Sequence, residues 1–288
     1  MESVAFTFYL GKSRRGIASG DMTFSLVARS ADGSQWGVAV ASKFLAVGAA
    51  VPGAAHGVGA VATQAMANLA YRTDGLALLR QGRSADDVLA ALTSGDEGRE
   101  HRQAGIVDAR GSSATYTGAE CNAWAGGRTG DGWAAQGNIL TGPEVVDALA
   151  DAFEGTSGPL AHRLSQALLV ADRAGGDRRG RQSAALLVVS EAGGYGGGSD
   201  VLVDLRVDDH PDPVPELLRL LDLHGLCFGK PSPEDVMPLS GQLAIEVAER
   251  LDRLGYATLE DWAGVENYEE RLVPGGIDPL VLTRLREQ

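Results

Sequence analysis

Thr23 is a hydroxyl placed where a chain can begin. It stands directly behind Met22 and heads the run Thr23-Phe24-Ser25-Leu26-Val27-Ala28-Arg29-Ser30. A threonine whose α-amino group is free carries nucleophile and general base on one residue, because an amine of pKa about 8 takes the hydroxyl proton at neutral pH. The plainer alternative is the edge residue of a strand. A second cluster is Asp177-Arg178-Arg179-Gly180-Arg181-Gln182-Ser183. A guanidinium binds carboxylates bidentately, so Arg181 is a candidate clamp for a substrate carboxylate, against the alternative of a solvated charged loop. Asp208-Asp209-His210 with Asp212 offers oxygen and imidazole ligands. An acidic turn before Pro211 accounts for it more simply, and no metal is expected. His56, His101, His162 and His224 are scattered and receive no role. The chain has no G-x-S-x-G, H-E-x-x-H, phosphate-cradling G-x-x-x-x-G-K or dinucleotide fingerprint, so no organic cofactor is expected either.

These residues must be positioned by an ordinary globular chain. Its 288 residues are 44% hydrophobic and 22% charged, enough for one large unit and a small one. No apolar run is long enough for a membrane span. The formal charge of -13 repels phosphate backbones and anionic lipid, which argues against nucleic-acid and membrane partners. Cys121 and Cys227 lack C-x-x-C spacing, so neither a disulfide framework nor a thiolate zinc site is expected, and a reducing cytoplasm is the default location. Residues 1–21 lack the basic start and apolar core of a secretory signal. They are expected to be an extension that is removed or moved aside, or to be untranslated, with Met22 as initiator and Thr23 exposed after its removal.

Alternation from Phe24 onward predicts a strand, and a polar turn at 30–34 leads to the apolar run of a second, giving a hairpin. Lys43 sits at its exit. Val51-Pro52-Gly53 reads as a turn, and 58–62 as another strand running into Thr63-Gln64-Ala65. Thr73 is expected to cap a short helix, and Ser84-Ala85-Asp86-Asp87 a second with Val88, Leu89 and Leu92 inward. Strands follow at 104–107, 113–116 and 133–136, then helices from Thr141-Gly142-Pro143-Glu144 and from Pro159 to Gly175-Gly176, then strands at 184–189 and 201–207. Strands segregated from helix pairs, without βαβ alternation, predict an α+β helix–sheet–sheet–helix sandwich.

This order resembles the N-terminal nucleophile hydrolases. Within them, the chain resembles domain of unknown function family 1028 through Thr23-Phe24-Ser25-Leu26-Val27-Ala28-Arg29, Gly37-Val38-Ala39-Val40-Ala41-Ser42-Lys43-Phe44, Gly57-Val58-Gly59-Ala60-Val61-Ala62-Thr63-Gln64, Gln136-Gly137-Asn138, the 175–183 loop and Val203-Asp204-Leu205-Arg206-Val207-Asp208-Asp209-His210. The resemblance implies that Thr23 is the nucleophile and that Ser42 and Lys43 lower its pKa. It also implies that a first helix starting at Thr63-Gln64-Ala65 offers N–H groups to an oxyanion, with Gln64 among the catalytic residues. Asn138 and the loop residues Asp177, Arg181 and Ser183 match positions around the nucleophile and its substrate. The chain departs from proteasome subunits in lacking their aspartate before the lysine-bearing region, and Thr23 is not its encoded first residue.

Beyond the linker Lys230-Pro231-Ser232-Pro233-Glu234-Asp235, Leu239, Leu243, Val247, Leu251 and Leu254 form one helical stripe. Leu259, Trp262, Val265, Tyr268 and Leu272 are expected to pack on it, and Leu280, Leu282 and Leu285 to close a third segment. This all-α module resembles the peptidoglycan-binding-like modules appended to the family, with docking or homo-oligomer formation favoured over a peptidoglycan fragment as its role. The organisation expected is therefore an extension over 1–21, a hydrolase-like unit over 22–229 and a module over 234–288. The expected activity is hydrolysis of a small-molecule amide or peptide substrate without cofactor or metal. The alternative, from another class, is a non-catalytic ligand-binding or scaffolding protein.

Overall fold

The computed structural model describes residues 23–121 and 123–288, and the expectations for residues 1–21 and Met22 lie outside them. The first hairpin joins β1 (Thr23–Arg29) to β2 (Gln35–Ser42), in register from Thr23 opposite Ser42 to Arg29 opposite Trp36. Gly33, at φ +72°, supplies the left-handed position of its turn. β1 lies inside a six-stranded antiparallel sheet, with β2, β9 (Ser183–Ser190) and β10 (Val201–Val207) on one side and β8 (Trp133–Leu140) and β7 (Trp124–Gly130) on the other. A second antiparallel sheet runs in the order β3 (Pro52–Ala55), β4 (Gly59–Ala65), β5 (Arg102–Asp108), β6 (Ser113–Thr117).

Alternation along β1 determines what each face buries. Phe24, Leu26 and Ala28 pack with α4 (Glu144–Gly155), α5 (Leu160–Arg173) and the first half of α6 (Pro213–Phe228). Val27 faces the other way and packs with Val38, Val40, Ala60, Ala62 and Val107 between the sheets, joined by Val47 of the short α1 (Val47–Ala50). The outer face of the second sheet, through Val61, Ala104 and Ile106, is covered by Tyr71 and Leu79 of α2 (Ala70–Arg80) and by Val88, Leu89 and Leu92 of α3 (Ala85–Ser94). As its capping box predicts, α3 opens with Ser84 Oγ accepting from Asp87 N at 3.2 Å. The result is a mixed α+β fold with helices on the outer face of each of two facing sheets.

Several local expectations are corrected. Pro52-Gly53-Ala54-Ala55 is not a turn but edge strand β3, where a proline loses no ladder bond. Thr63-Gln64-Ala65 ends β4 and starts no helix; α2 begins at Ala70. Thr73 lies inside α2 and bonds back to Ala70 O instead of capping it. The glycine-rich β7 and the helix α6 are additions to the elements expected.

The C-terminal module is not all-α. Its α7 (Gly241–Leu254), α8 (Leu259–Glu266) and α9 (Pro279–Glu287) are joined by a two-stranded pairing of β11 (Met237–Pro238) with β12 (Gly276–Ile277). Val247, Leu251, Trp262, Tyr268, Val281, Leu282 and Leu285 form its core, whereas Val265 and Leu280 are exposed, against expectation. Leu226, from the last turn of α6, belongs to this core, so α6 serves both units. The buried Arg271 fixes the joint: its Nε donates to Leu226 O at 2.7 Å, Nη2 to Gly225 O at 2.5 Å and Nη1 to Asp278 Oδ2 at 2.5 Å. It thereby caps Leu226 O at the end of the helix and adds a second bond to Gly225 O, which also accepts from Gly229 N at 3.1 Å.

Candidate functional site

Thr23 opens the central strand, with Ser42 of β2 opposite it on one side and Asn138 of β8 on the other. Opposed residues in an antiparallel sheet point their side chains to the same face. All three therefore project between the sheets, where Gln64 of β4 meets them. Thr23 Oγ1 and Ser42 Oγ share a hydrogen bond at 3.1 Å, and both residues are buried. Thr23 O accepts from Gln64 Nε2 at 3.2 Å and from Asn138 Nδ2 at 3.5 Å. The hydroxyl and the main chain of Thr23 are thus held from three strands.

Below Thr23 lies a buried network that includes residues given no role from the sequence. Ser25 Oγ donates to Gln64 Oε1 at 2.6 Å and accepts from Gln136 Nε2 at 2.6 Å. Gln103 Oε1 accepts from Gln64 Nε2 at 2.8 Å and from Asn138 Nδ2 at 2.9 Å. Gln103 Nε2 donates to Thr117 Oγ1, Gly126 O and Gly137 O. Four fully buried amide side chains between two sheets form an arrangement that is stable only when its bonds are made. Gln103 carries no distinct sequence signal, since it follows Arg102 and precedes the apolar run of the strand expected at 104–107.

Strained backbone flanks the same place. Ile139, at φ +50°, lies in an irregularity where the β7–β8 register shifts between Trp124 and Gly126. Ala65, at φ +65°, ends β4 beside Gln64, and Ala46, at φ +54°, follows the exit of β2. Each left-handed non-glycine residue costs about 1–2 kcal/mol, and such strain and bulges concentrate at functional sites.

The other predicted residues form an adjoining shell. Asp177 Oδ2 accepts from Lys43 N at 2.7 Å, and Oδ1 accepts from Arg179 N at 2.8 Å. Lys43 Nζ donates to Arg181 O at 3.2 Å, which places its exposed ammonium over the 177–183 loop. Ser183 Oγ donates to Phe44 O at 2.5 Å and accepts from Val47 N at 3.1 Å, pinning the turn after β2. Arg181 grips Asp172 with Nε at 2.8 Å and faces Asp212 with Nη1 at 3.3 Å. The hydrogen bond to Asp172 pushes the guanidinium pKa up, and a substrate carboxylate would have to compete with both aspartates. Thr23, Ser42, Gln64 and Asn138 are thus brought together directly, Asp177 and Ser183 hold the chain beside them, and Arg181 is engaged within the protein. Among the described residues no group of three or more His, Cys, Asp and Glu is disposed to hold a metal. His210 Nδ1 accepts from Asp212 N.

Fold and site together define a mixed α+β protein with a buried, hydrogen-bonded threonine at the head of its central strand. The model of the "Family of unknown function (DUF1028)" matches residues 23–217, more than half of the chain, and the protein belongs to that family. The model described as "Putative peptidoglycan binding domain" matches residues 227–285. A crystal structure from Silicibacter pomeroyi, of a protein matched by the same DUF1028 model, is 29% identical, with a TM-score of 0.64 over 78% of this chain and 93% of that one. No curated protein matches.

Proposed function

We infer that the protein is an amidohydrolase in which Thr23, once its α-amino group is free, attacks a small amide or peptide-like substrate. The observation that carries this reading is the hydroxyl of Thr23 paired with Ser42, on a main chain held by Gln64 and Asn138. The order of helices and sheets is read as that of the N-terminal nucleophile hydrolases, and the DUF1028 match begins at Thr23 itself.

The free amine takes the Oγ proton, and Oγ attacks the substrate carbonyl. The C–N bond breaks, the leaving amine receives that proton, and an ester forms on Thr23. Water attacks the ester with the amine again as base, releasing the acid and restoring the hydroxyl. Ser42 Oγ, 3.1 Å from Thr23 Oγ1, orients the hydroxyl and shares its proton. Gln64 and Asn138 fix the main chain, so that little reorganisation is needed as charge develops. The module's family description adds cell-wall peptides to the amides worth screening.

The test is the N-terminal sequence and intact mass of the protein from its native host, with amide and peptide turnover of the wild type and Thr23→Ala. A chain starting at Thr23, and a folded variant without turnover, are expected. A chain that retains Met22, or full activity in Thr23→Ala, sinks the reading and favours a binding protein that keeps the fold.

A further inference from the structure

The amide network has only one self-consistent arrangement of donors and acceptors. Gly126 O and Gly137 O can only accept, so the group of Gln103 facing them is its NH2, at 3.1 and 2.8 Å. Its Oε1 therefore faces Gln64 and Asn138, and both must offer NH2 to it. The planar amide of Asn138 consequently turns Oδ1 away from Gln103, on the same side chain whose Nδ2 also reaches Thr23 O at 3.5 Å. Oδ1 is buried and has no hydrogen-bond partner among the described residues, and Asn138 is 1% exposed. A buried acceptor without a partner is a standing cost that a ligand N–H relieves.

We propose that Gln103 is a positioning residue that locks the Asn138 amide so that Oδ1 receives an N–H of the bound substrate, which selects acyl substrates bearing an N–H beside the scissile carbonyl. This deepens, and rests on, the reading of Thr23 as nucleophile. The selection has a physical basis: a site built to hydrogen-bond an N–H leaves a buried group unpaired when the N–H is missing. An N-methylated counterpart is therefore penalised although its carbonyl is unchanged.

Two β-lactones test it, an N-acylserine β-lactone and its N-methyl analogue, each reacted with the full protein from its native host. Thr23 Oγ adds to the lactone carbonyl, the ring C–O bond breaks, and the released alkoxide takes the proton that left Oγ, so the adduct carries the mass of the whole lactone. The N–H lactone is expected to label Thr23 at least about ten-fold faster than the N-methyl one. Gln103→Met should bring that ratio close to one while leaving the N-methyl rate within about three-fold, a change that general loosening of the fold does not produce. Asn138→Ala, which removes Oδ1 itself and leaves Gln103 bonded to Gln64, should also bring the ratio close to one, whatever both rates lose with the bond to Thr23 O, and serves if Gln103→Met fails to fold. No adduct at Thr23 with either lactone overturns the nucleophile reading. Adducts forming equally fast with both lactones in the wild type overturn this inference alone, as does an unchanged ratio in the folded variants.

Discussion

Gly105→Ala tests the network from its far side. Gly105 lies in β5 with a φ that any residue can adopt, so alanine should on its own stabilise by about 0.4–1 kcal/mol through the unfolded chain. An added Cβ, however, meets Gln136 Oε1 at 2.0 Å and Nε2 at 2.7 Å. Gln136 is fully buried and cannot swing into water. Displacing it breaks the bonds from Nε2 to Ser25 Oγ at 2.6 Å and to Ser25 O at 3.2 Å. Each bond is worth about 0.5–1.5 kcal/mol, and the stranded donor costs about 1–3 kcal/mol. The net loss is about 2–4 kcal/mol, which lowers Tm by about 4–15 °C in a chain of this size. Urea unfolding followed by far-UV circular dichroism and tryptophan fluorescence measures it. The same substitution in a Gln136→Ala background, where the clashing atoms are gone, should cost nothing. A loss below about 0.5 kcal/mol in the wild-type background, or an equal loss in both, refutes the reasoning.

Other perturbations have defined outcomes. The Asp96 carboxyl is held well below the usual carboxylate range, first by the hydrogen bond from Arg102 and further by those from Asn68, Gly98 and Tyr71. Its stabilisation is therefore complete above the unfolded carboxylate pKa of about 4 and is lost as pH falls toward the depressed folded value. Asp96→Asn should flatten the acid side of the stability–pH curve, and a parallel displacement of the whole curve would contradict this. Arg271→Ala leaves Asp278 buried without its ion-pair partner and removes the cap from Leu226 O at the end of α6. A loss of about 3–5 kcal/mol is expected, with limited proteolysis opening the chain near residues 229–236. Ala65→Gly removes a left-handed alanine and should stabilise by about 1 kcal/mol, measured as a raised urea midpoint at constant slope.

What could be read in the sequence was local. Alternation gave the hairpin that places Thr23 opposite Ser42, and the Ser84–Asp87 box gave the start of α3. Where one residue type serves two purposes, the reading went astray. Pro52 and Gly53 signal a turn, yet an edge strand accepts both. Gly126, Gly127 and Gly130 obscure β7, although Gly127 is small because Thr115 Oγ1 would lie 2.7 Å from a Cβ there. The amide network was illegible for another reason. Gln103 bonds to residues 34 and 39 positions away in opposite directions, and no period in a single strand encodes such partners. Ser42, Gln64 and Asn138 were reached by resemblance, and the structure shows what each touches.

The two family matches meet inside α6, between residues 217 and 227. Because a continuous helix crosses that boundary and Arg271 clasps its end, the C-terminal module is joined to the main unit as a lever is joined to its arm. A flexible leash would let the module search a volume; a helix fixes both bearing and reach. Every residue of the module is therefore held in one alignment relative to Thr23, and grafting the module onto another protein at residue 230 would leave behind the helical turn that orients it.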